Sequence, residues 1–268
     1  MHGVSTPAIP RLLDGNIAIV TGSSHGIGSG IAETLAAAGA AVVVTGRNGN
    51  EARSQAQRLN AAGHSALGIE LDVSNGASCE ALVRSVLSEY GGIDLLVNNA
   101  GISGRMPLAD MEDDVWDRMI EVNLTGVERM TRAVLPHMMR RRTGSIVSIS
   151  SIAGRTGKAN MSHYCATKFG IIGFTQALAL ELAEHRIRVN CVCPGIIRTR
   201  LWEIELQEIA DARGITVEQA WQATVEGIPL EQPQTSFDIG AAVAFLGSSL
   251  ASNITGQSLN VDGGMVLS

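Results

Sequence analysis

The sequence predicts an α/β protein whose core is one doubly wound, mostly parallel sheet of about seven strands with helices on both faces. Three observations carry this reading. Short β-branched runs alternate with stretches of helical period along nearly the whole chain. Those runs are apolar almost throughout, as strands covered on both faces must be. Thirty glycines against 3% aromatic residues suit many tight strand–helix turns better than an aromatic-cored sandwich.

Each element follows from its own signal. Ile17–Thr21 reads as a buried strand and Ile27–Ala38 as a helix closed by Gly39. Val42–Thr45 is the next strand, followed by a helix over Glu51–Ala62 that stops at Gly63. Ala66–Leu71 and Ala77–Tyr90 repeat the pair, with Gly91 and Gly92 as the stop. Ile93–Val97 is a fourth strand, and one long helix is expected over about Val115–Arg141. Ser145–Ser150, a helix over Ser162–Glu184 and the strand Ile187–Val192 come next. Asp238–Leu250 is helical and Gln257–Val261 is the last strand. Strand alternating with helix means right-handed βαβ units.

The chain of 268 residues is read as a single domain, 1–268, with 1–10 as a loose N-terminal tail. Residues 201–234 are helical without a strand of their own. They are expected to form a lid over the crevice at the carboxyl ends of the strands, where such sheets bind ligands.

Composition removes several functions. The charge is 20 − 26 = −6 with a pI of about 5.5, which argues against a nucleic-acid binder. No apolar run approaches the ~20 residues of a membrane span, and Met1–Pro10 lacks the pattern of a secretory leader. Cys79, Cys165, Cys191 and Cys193 have neither the density of a disulfide scaffold nor zinc-site spacing. Cys191 and Cys193 fall on one face of a strand as packing thiols, and no cluster suggests a metal. A cytoplasmic location with reduced thiols is expected. The run Arg140–Arg142 sits at a helix C-terminus, where cations are favoured for structural reasons alone.

After the first strand comes Thr21-Gly22-Ser23-Ser24-His25-Gly26-Ile27-Gly28, opening directly into a helix. Free N–H groups and the helix dipole there suit a pyrophosphate. Gly22 allows the sharp turn, Gly26 lets backbone approach a ligand, and Gly28 lets the helix pack on the strand. An NAD site usually carries an acid at the end of the second strand. This chain has Thr45-Gly46-Arg47-Asn48 instead, and a guanidinium there suits a 2′-phosphate. NADP(H) is therefore favoured over NAD(H).

Tyr164 and Lys168 are four residues apart on a predicted helix, so phenol and ammonium share a face. Poising a phenol near neutrality needs a shift of about 3 units, or about 4 kcal/mol. One ammonium ~4 Å away supplies about that much at an effective dielectric of 20. Ser151 follows a strand and precedes Tyr164 by 13 residues. Asn123 lies inside the long helical region, where asparagine is disfavoured unless its amide bonds something useful.

Together these residues resemble the short-chain dehydrogenase/reductase family, in its single-domain Rossmann-like form of about 250 residues. The glycine loop, Asn98-Asn99-Ala100-Gly101, the order Asn123, Ser151, Tyr164, Lys168, and Pro194-Gly195-Ile196-Ile197-Arg198-Thr199 carry the likeness from about Leu12 to the end. The resemblance implies a homotetrameric oxidoreductase acting on a ketone or secondary alcohol. By resemblance, Asp72 and Val73 hold the adenine, Asn99, Ala100 and Gly101 line the cofactor, and Ile197 and Thr199 meet its carboxamide. Pro194 and Gly195 border the same site. Lys168 also binds ribose, and Asn123 holds a water that feeds a proton relay. Ser24, His25, Arg47 and Asn48 border the adenosine ribose. Ser103, Arg105, Asn160, Ile196, Arg198 and Trp202 are the substrate candidates, because they follow motif residues at the crevice edge. Cys165 has packing as its first reading, His163 is placed where it could reach the crevice mouth, and Trp221, like Trp202, either lines a substrate pocket or covers the core. NAD-dependent polyol or diol dehydrogenases and 3-oxoacyl-carrier reductases share these motifs. A non-catalytic dinucleotide-sensing regulator is a more distant alternative, one with no use for the Tyr164–Lys168 pair.

Overall fold

The computed structural model describes residues 9–268, apart from the side chains of residues 200, 201, 204 and 205. Residues 1–8 of the expected tail lie outside the described residues. The strands are β1 Ile17–Val20, β2 Ala41–Gly46, β3 Ala66–Glu70, β4 Leu95–Asn98, β5 Gly144–Ile149, β6 Ile187–Pro194 and β7 Ser258–Val261. Among the described residues they form one sheet in the order β3-β2-β1-β4-β5-β6-β7. Every pairing is parallel; Ala18, for example, stands opposite Val42 on one side and Leu95 on the other. The order reverses between β1 and β4, which opens a crevice at the carboxyl ends of those two strands.

The helices are α1 Gly26–Ala37, α2 Gly49–Ala61, α3 Gly76–Tyr90, α4 Asp113–Ile120, α5 Gly126–Arg141, α6 Ser162–Leu182, α7 Arg200–Arg213, α8 Val217–Glu226 and α9 Ser236–Gly247. Alternation along the strands divides the core into two layers. Ala18, Val20, Val42 and Val97 pack against Ile31 and Leu35 of α1, Leu59 of α2 and Val243 of α9. Ile19, Val43, Leu96 and Ile146 face Leu82 of α3, Met130 of α5 and Leu182 of α6. Each fully buried Leu, Ile or Val adds about 1.5–3 kcal/mol.

The long helix expected over Val115–Arg141 is interrupted. A π turn over Glu121–Thr125 separates α4 from α5 and contains Asn123. The amide of Asn123 is engaged outside the helix, and the wide turn places it where it can be. Local capping is explicit elsewhere: Asn48 caps α2, Asn75 caps α3, and Thr216 and Thr235 form capping boxes on α8 and α9. The N-terminus of α1 has no side-chain cap. Helices α7 and α8, which span most of the expected lid, gather their own apolar cluster around Leu206, Ala220, Trp221 and Ile228. Among the described residues no helix is long and apolar enough to cross a membrane.

Candidate active site

Because the sheet is parallel, β1, β2, β3, β4, β5 and β6 all deliver their last residues to the same edge. The glycine loop after β1 and the loop after β4 are stitched together there. The Thr21 hydroxyl accepts from the Asn99 and Ala100 N–H groups, each at 2.9 Å. The Asn99 amide donates to the carbonyls of Thr21 and Gly22 at 2.9 and 3.0 Å. A Cβ on Gly22 would stand 2.9 Å from the Ala100 Cα, and one on Gly28 would overlap the Gly22 carbonyl. Both glycines are thus required by close approach. Gly26 differs: its φ is +62° and nothing lies within 4 Å of where its Cβ would be. Its surroundings leave room for a ligand, beside the uncapped N–H groups of α1. A dinucleotide pyrophosphate fits this cradle.

At the end of β2 a Cβ on Gly46 would be 2.9 Å from the Ser24 hydroxyl, which in turn bonds His25 Nδ1 at 2.9 Å. Ser24 therefore partly fills the space an acid at position 46 would use. Arg47 is exposed. Asn48, expected beside the cofactor, has its side chain committed to capping: it accepts from Asn50 N–H and donates to Glu51. After β3, Asp72 accepts from both the backbone and the hydroxyl of Ser74 at 2.9 and 2.6 Å. The Ser74 hydroxyl holds its carboxyl below the usual range. Val73 is buried against Gly126.

Asn123 is 1% exposed and clamps Ile102 at both ends, accepting from its N–H at 2.7 Å and donating to its carbonyl at 2.8 Å. It also reaches the Thr167 hydroxyl at 3.4 Å, which donates to the Tyr164 carbonyl at 2.7 Å. On α6, Lys168 Nζ lies 5.5 Å from the centre of the Tyr164 ring. That ammonium is buried and donates to the Ile149 carbonyl at 2.9 Å. Burial pushes its pKa down to about 8. Ser151 begins the 3₁₀ turn Ile152–Gly154 and accepts from the Ala153 N–H at 3.0 Å. Ala153 packs with Cys165 and Tyr164, which sets the Ser151 turn against the start of α6.

Four contributors gave little sequence signal. Ser150, immediately before Ser151, donates to the Lys168 carbonyl at 2.8 Å, and a Cβ on Gly154 would collide with both groups. The Ile149 carbonyl and Thr167 act through backbone geometry that composition does not reveal. Gln234 accepts from the Ile196 N–H at 2.8 Å while its own N–H bonds the Ile196 carbonyl at 3.0 Å. The segment between Ile196 and Gln234 is thereby tied shut at its base.

The substrate candidates separate. Ser103 and Arg105 belong to the arch after β4. Asn160, at φ +62°, accepts from the Met106 N–H at 2.7 Å. Ile196 is buried in the cluster of α7 and α8, and Trp202 packs on it. Arg198 bonds Glu203 at 2.7 Å and Glu218 at 3.2 Å and lies over the Trp221 ring. Its charge is thus already countered by two carboxylates of the 201–234 segment. Ile197 is buried in the main core and Thr199 caps α7; Pro194 ends β6, and Gly195 abuts Gln234 and Asp262. The thiols of Cys191 and Cys193 are fully buried, and their mutual hydrogen bond together with burial raises Cys191.

Comparison with known proteins agrees with this geometry. The family described as short chain dehydrogenase matches residues 16–209. The chain is 41% identical over 254 residues to a 3-oxoacyl-[acyl-carrier-protein] reductase of Salmonella typhimurium, covering 95% of this chain and 98% of that one. It is 39% identical over 255 residues to the enzyme of the same name from Vibrio cholerae, covering 95% and 99%. A crystal structure of an actinorhodin polyketide ketoreductase variant with NADPH superimposes with a TM-score of 0.90 at 38% identity, covering 93% and 97%.

Proposed function

The chain belongs to the short-chain dehydrogenase family, and from that premise we propose that it transfers a hydride between NADP(H) and a ketone or secondary alcohol, with 3-oxoacyl groups on an acyl carrier as the favoured substrate. The observation that carries this is Tyr164 beside a buried Lys168, with the Ser151 turn packed on the same helix start, at the edge where the Gly26 cradle opens. The names of the relatives support the substrate class, and the NADPH-bound relative supports the cofactor. Gly46 and Arg47 in place of an acid point the same way.

Gly22, Gly26 and Gly28 would hold the pyrophosphate, Asp72 and Val73 the adenine, and Asn99, Ala100 and Gly101 the dinucleotide's inner side. Pro194, Gly195, Ile197 and Thr199 would border the nicotinamide end, with Ser24, His25 and Arg47 at the 2′-phosphate. Bound NADPH supplies the hydride. As negative charge grows on the substrate oxygen, the Ser151 hydroxyl donates to it and fixes its position. Tyr164 then gives its phenolic proton to that oxygen. Lys168, held by the Ile149 carbonyl, keeps positive charge beside the phenol and favours its ionised form afterwards. Asn123 fixes the Ile102 backbone that borders the site. In the oxidative direction Tyr164 is the base.

Residues 201–234 act in this reading as the lid, and the chain works in the cytoplasm as a homotetramer. Exposed Phe169 and Leu180, eleven residues or about three turns apart on α6, support an oligomeric contact on that helix.

The test assays 3-oxoacyl thioesters, simple ketones and diols with NADPH and NADH, following absorbance at 340 nm. A 3-oxoacyl thioester reduced with NADPH at the highest kcat/KM supports the proposal; a preference for a diol with NAD refutes it. Gly46→Asp with Arg47→Leu swings the cofactor ratio towards NAD, and Ser24→Gly added to that pair enlarges the swing by vacating the space of the new Cβ.

A further inference from the structure

Two arginines brace the sheet by donating to neutral oxygens, one at each end of β6. Arg188, near the amino end, donates to the carbonyls of Leu246, Gly247 and Ser248 at the end of α9. Arg155 stands at the carboxyl end, beside the site. Its backbone closes the 3₁₀ turn that Ser151 opens: the Arg155 N–H donates to the Ile152 carbonyl at 3.0 Å, and the Gly154 N–H to the Ser151 carbonyl at 2.9 Å. Its half-buried side chain crosses to β7. There Nε donates to Asn260 Oδ1 at 3.1 Å, and Nη2 to the Ser258 carbonyl.

The acceptor on β7 is itself fixed. Asn260 spends its amide N–H groups on the carbonyls of Val266 and Ser268 at 2.9 and 3.3 Å, which turns its oxygen towards the guanidinium. Cys193 stands opposite Asn260 on β6, and its buried thiol is held below its ordinary pKa by a hydrogen bond from Cys191 and then by the Arg155 charge. The guanidinium thus sits where β6 and β7 meet. On its other side the turn rests on α6, through Ala153 against Cys165 and through Gly154 beneath the Lys168 carbonyl. The turn that carries Ser151 is therefore gripped between the helix of Tyr164 and Lys168 and the strand β7, and Arg155 supplies the β7 half of that grip. A hydroxyl aimed at a growing charge works only in place, since a displacement of about 1 Å can cost about 10²-fold in rate.

We propose that Arg155 is a positioning residue: by fastening the turn to β7 it holds the Ser151 hydroxyl in register with Tyr164. Asn260 belongs to the same fastening, because it orients the guanidinium. The inference rests on the role given to Ser151 above. Arg188 makes a comparable set of bonds that lead away from the turn, so its loss measures what bracing alone contributes.

The test compares Arg155→Met, which keeps the apolar stem, with Arg188→Met, using whichever carbonyl or alcohol of the panel above turns over fastest. Arg155→Met should lower kcat about 10–100-fold, with KM and NADPH affinity within about twofold. Arg188→Met should lower Tm yet leave kcat within about twofold. Arg155→Lys should recover part of the lost kcat. Asn260→Ala should lower kcat severalfold and add nothing to Arg155→Met, as expected for two members of one contact. In a Ser151→Ala background, Arg155→Met should change kcat by less than about twofold, because the group it positions is gone. Hydrogen exchange of the 151–156 amides should quicken about tenfold or more in Arg155→Met and stay unchanged in Arg188→Met. An equal loss of kcat in the two arginine variants, an undiminished loss in the Ser151→Ala background, or unchanged exchange would overturn the proposal. If Arg155→Met does not fold, Asn260→Ala carries the same comparison. Full activity in Ser151→Ala would refute the role of Ser151 instead, and the exchange rates would then decide whether Arg155 fastens the turn.

Discussion

The glycine loop after β1 and the excursion between β6 and α9 are expected to form two walls of one crevice, and they are built by opposite means. Every polar group of Thr21 and Asn99 described above is spent on joining two loops of the main sheet, and Gly22 and Gly28 have no room for a methyl group. The excursion instead folds on a cluster of its own around Trp221. Its base is held by paired bonds between Ile196 and Gln234. One wall inherits the rigidity of a close-packed core, and the other can change without disturbing that core. In the proposed reading, the fixed wall would hold the cofactor and the adjustable one would meet the substrate.

The largest expected effect tests whether the chemistry belongs to the fixed wall. Tyr164→Phe should lower kcat by about 10²–10⁴-fold, while NADPH affinity measured by fluorescence stays within about twofold. Activity retained by that variant would remove the proton donor from the fixed side.

Lys168 offers a sharper probe through pH. Its folded-state pKa of about 8 is below the ordinary lysine value of 10.5, so between these values the unfolded chain binds more protons. Stability of the cofactor-free protein therefore rises with pH across that window, and the penalty is full below pH 8. The gain is up to about 3 kcal/mol at 1.36 kcal/mol per unit. Urea unfolding of Lys168→Met should lose that rise; an unchanged slope would show that the ammonium is not the buried group.

The two glycines should then part company. Gly28→Ala is expected to cost about 2–3 kcal/mol through overlap with the Gly22 carbonyl, a fall in Tm of roughly 5–10 °C. Gly26→Ala meets no neighbour and pays only for its left-handed φ, about 1–2 kcal/mol. It should nonetheless weaken NADPH binding by the larger factor relative to its effect on Tm. Equal ratios in calorimetry and binding would erase the distinction between packing glycine and ligand-facing glycine.

The smallest effect belongs to the adjustable wall. Arg198→Ala removes two exposed ion pairs, each worth about 0.2–1 kcal/mol, and the stacking on Trp221. Tm should move by less than about 3 °C, while proteolysis within 200–230 accelerates severalfold. A large drop in Tm would mean that the excursion is part of the main core after all.

Strand and helix order was legible because a doubly covered parallel sheet needs apolar runs, and helices need their period and stops. Tyr164 and Lys168 were legible for a related reason: a four-residue spacing fixes neighbours on a helix whatever surrounds it. Asn123 was visible as an anomaly, yet the π turn that displaces it was not. That turn answers to Ile102, a residue distant in sequence. Asn48 shows the limit of such reading, because one side chain suits both a helix cap and a ribose, and only the folded α2 shows that it caps the helix. Arg198 likewise looked available until Glu203 and Glu218 were brought beside it.

Local periodicity, chain reversal at glycine and the preference of side chains for helix ends are properties of a few consecutive residues, and these settled the sheet, its helices and the order of the elements that carry the candidate site. The clamp on Ile102, the carbonyl that receives Lys168 and the paired bonds between Ile196 and Gln234 each join segments far apart along the chain. Such pairings depend on distances of a few ångströms that exist only after the layers have packed, and so the tertiary structure alone decided them.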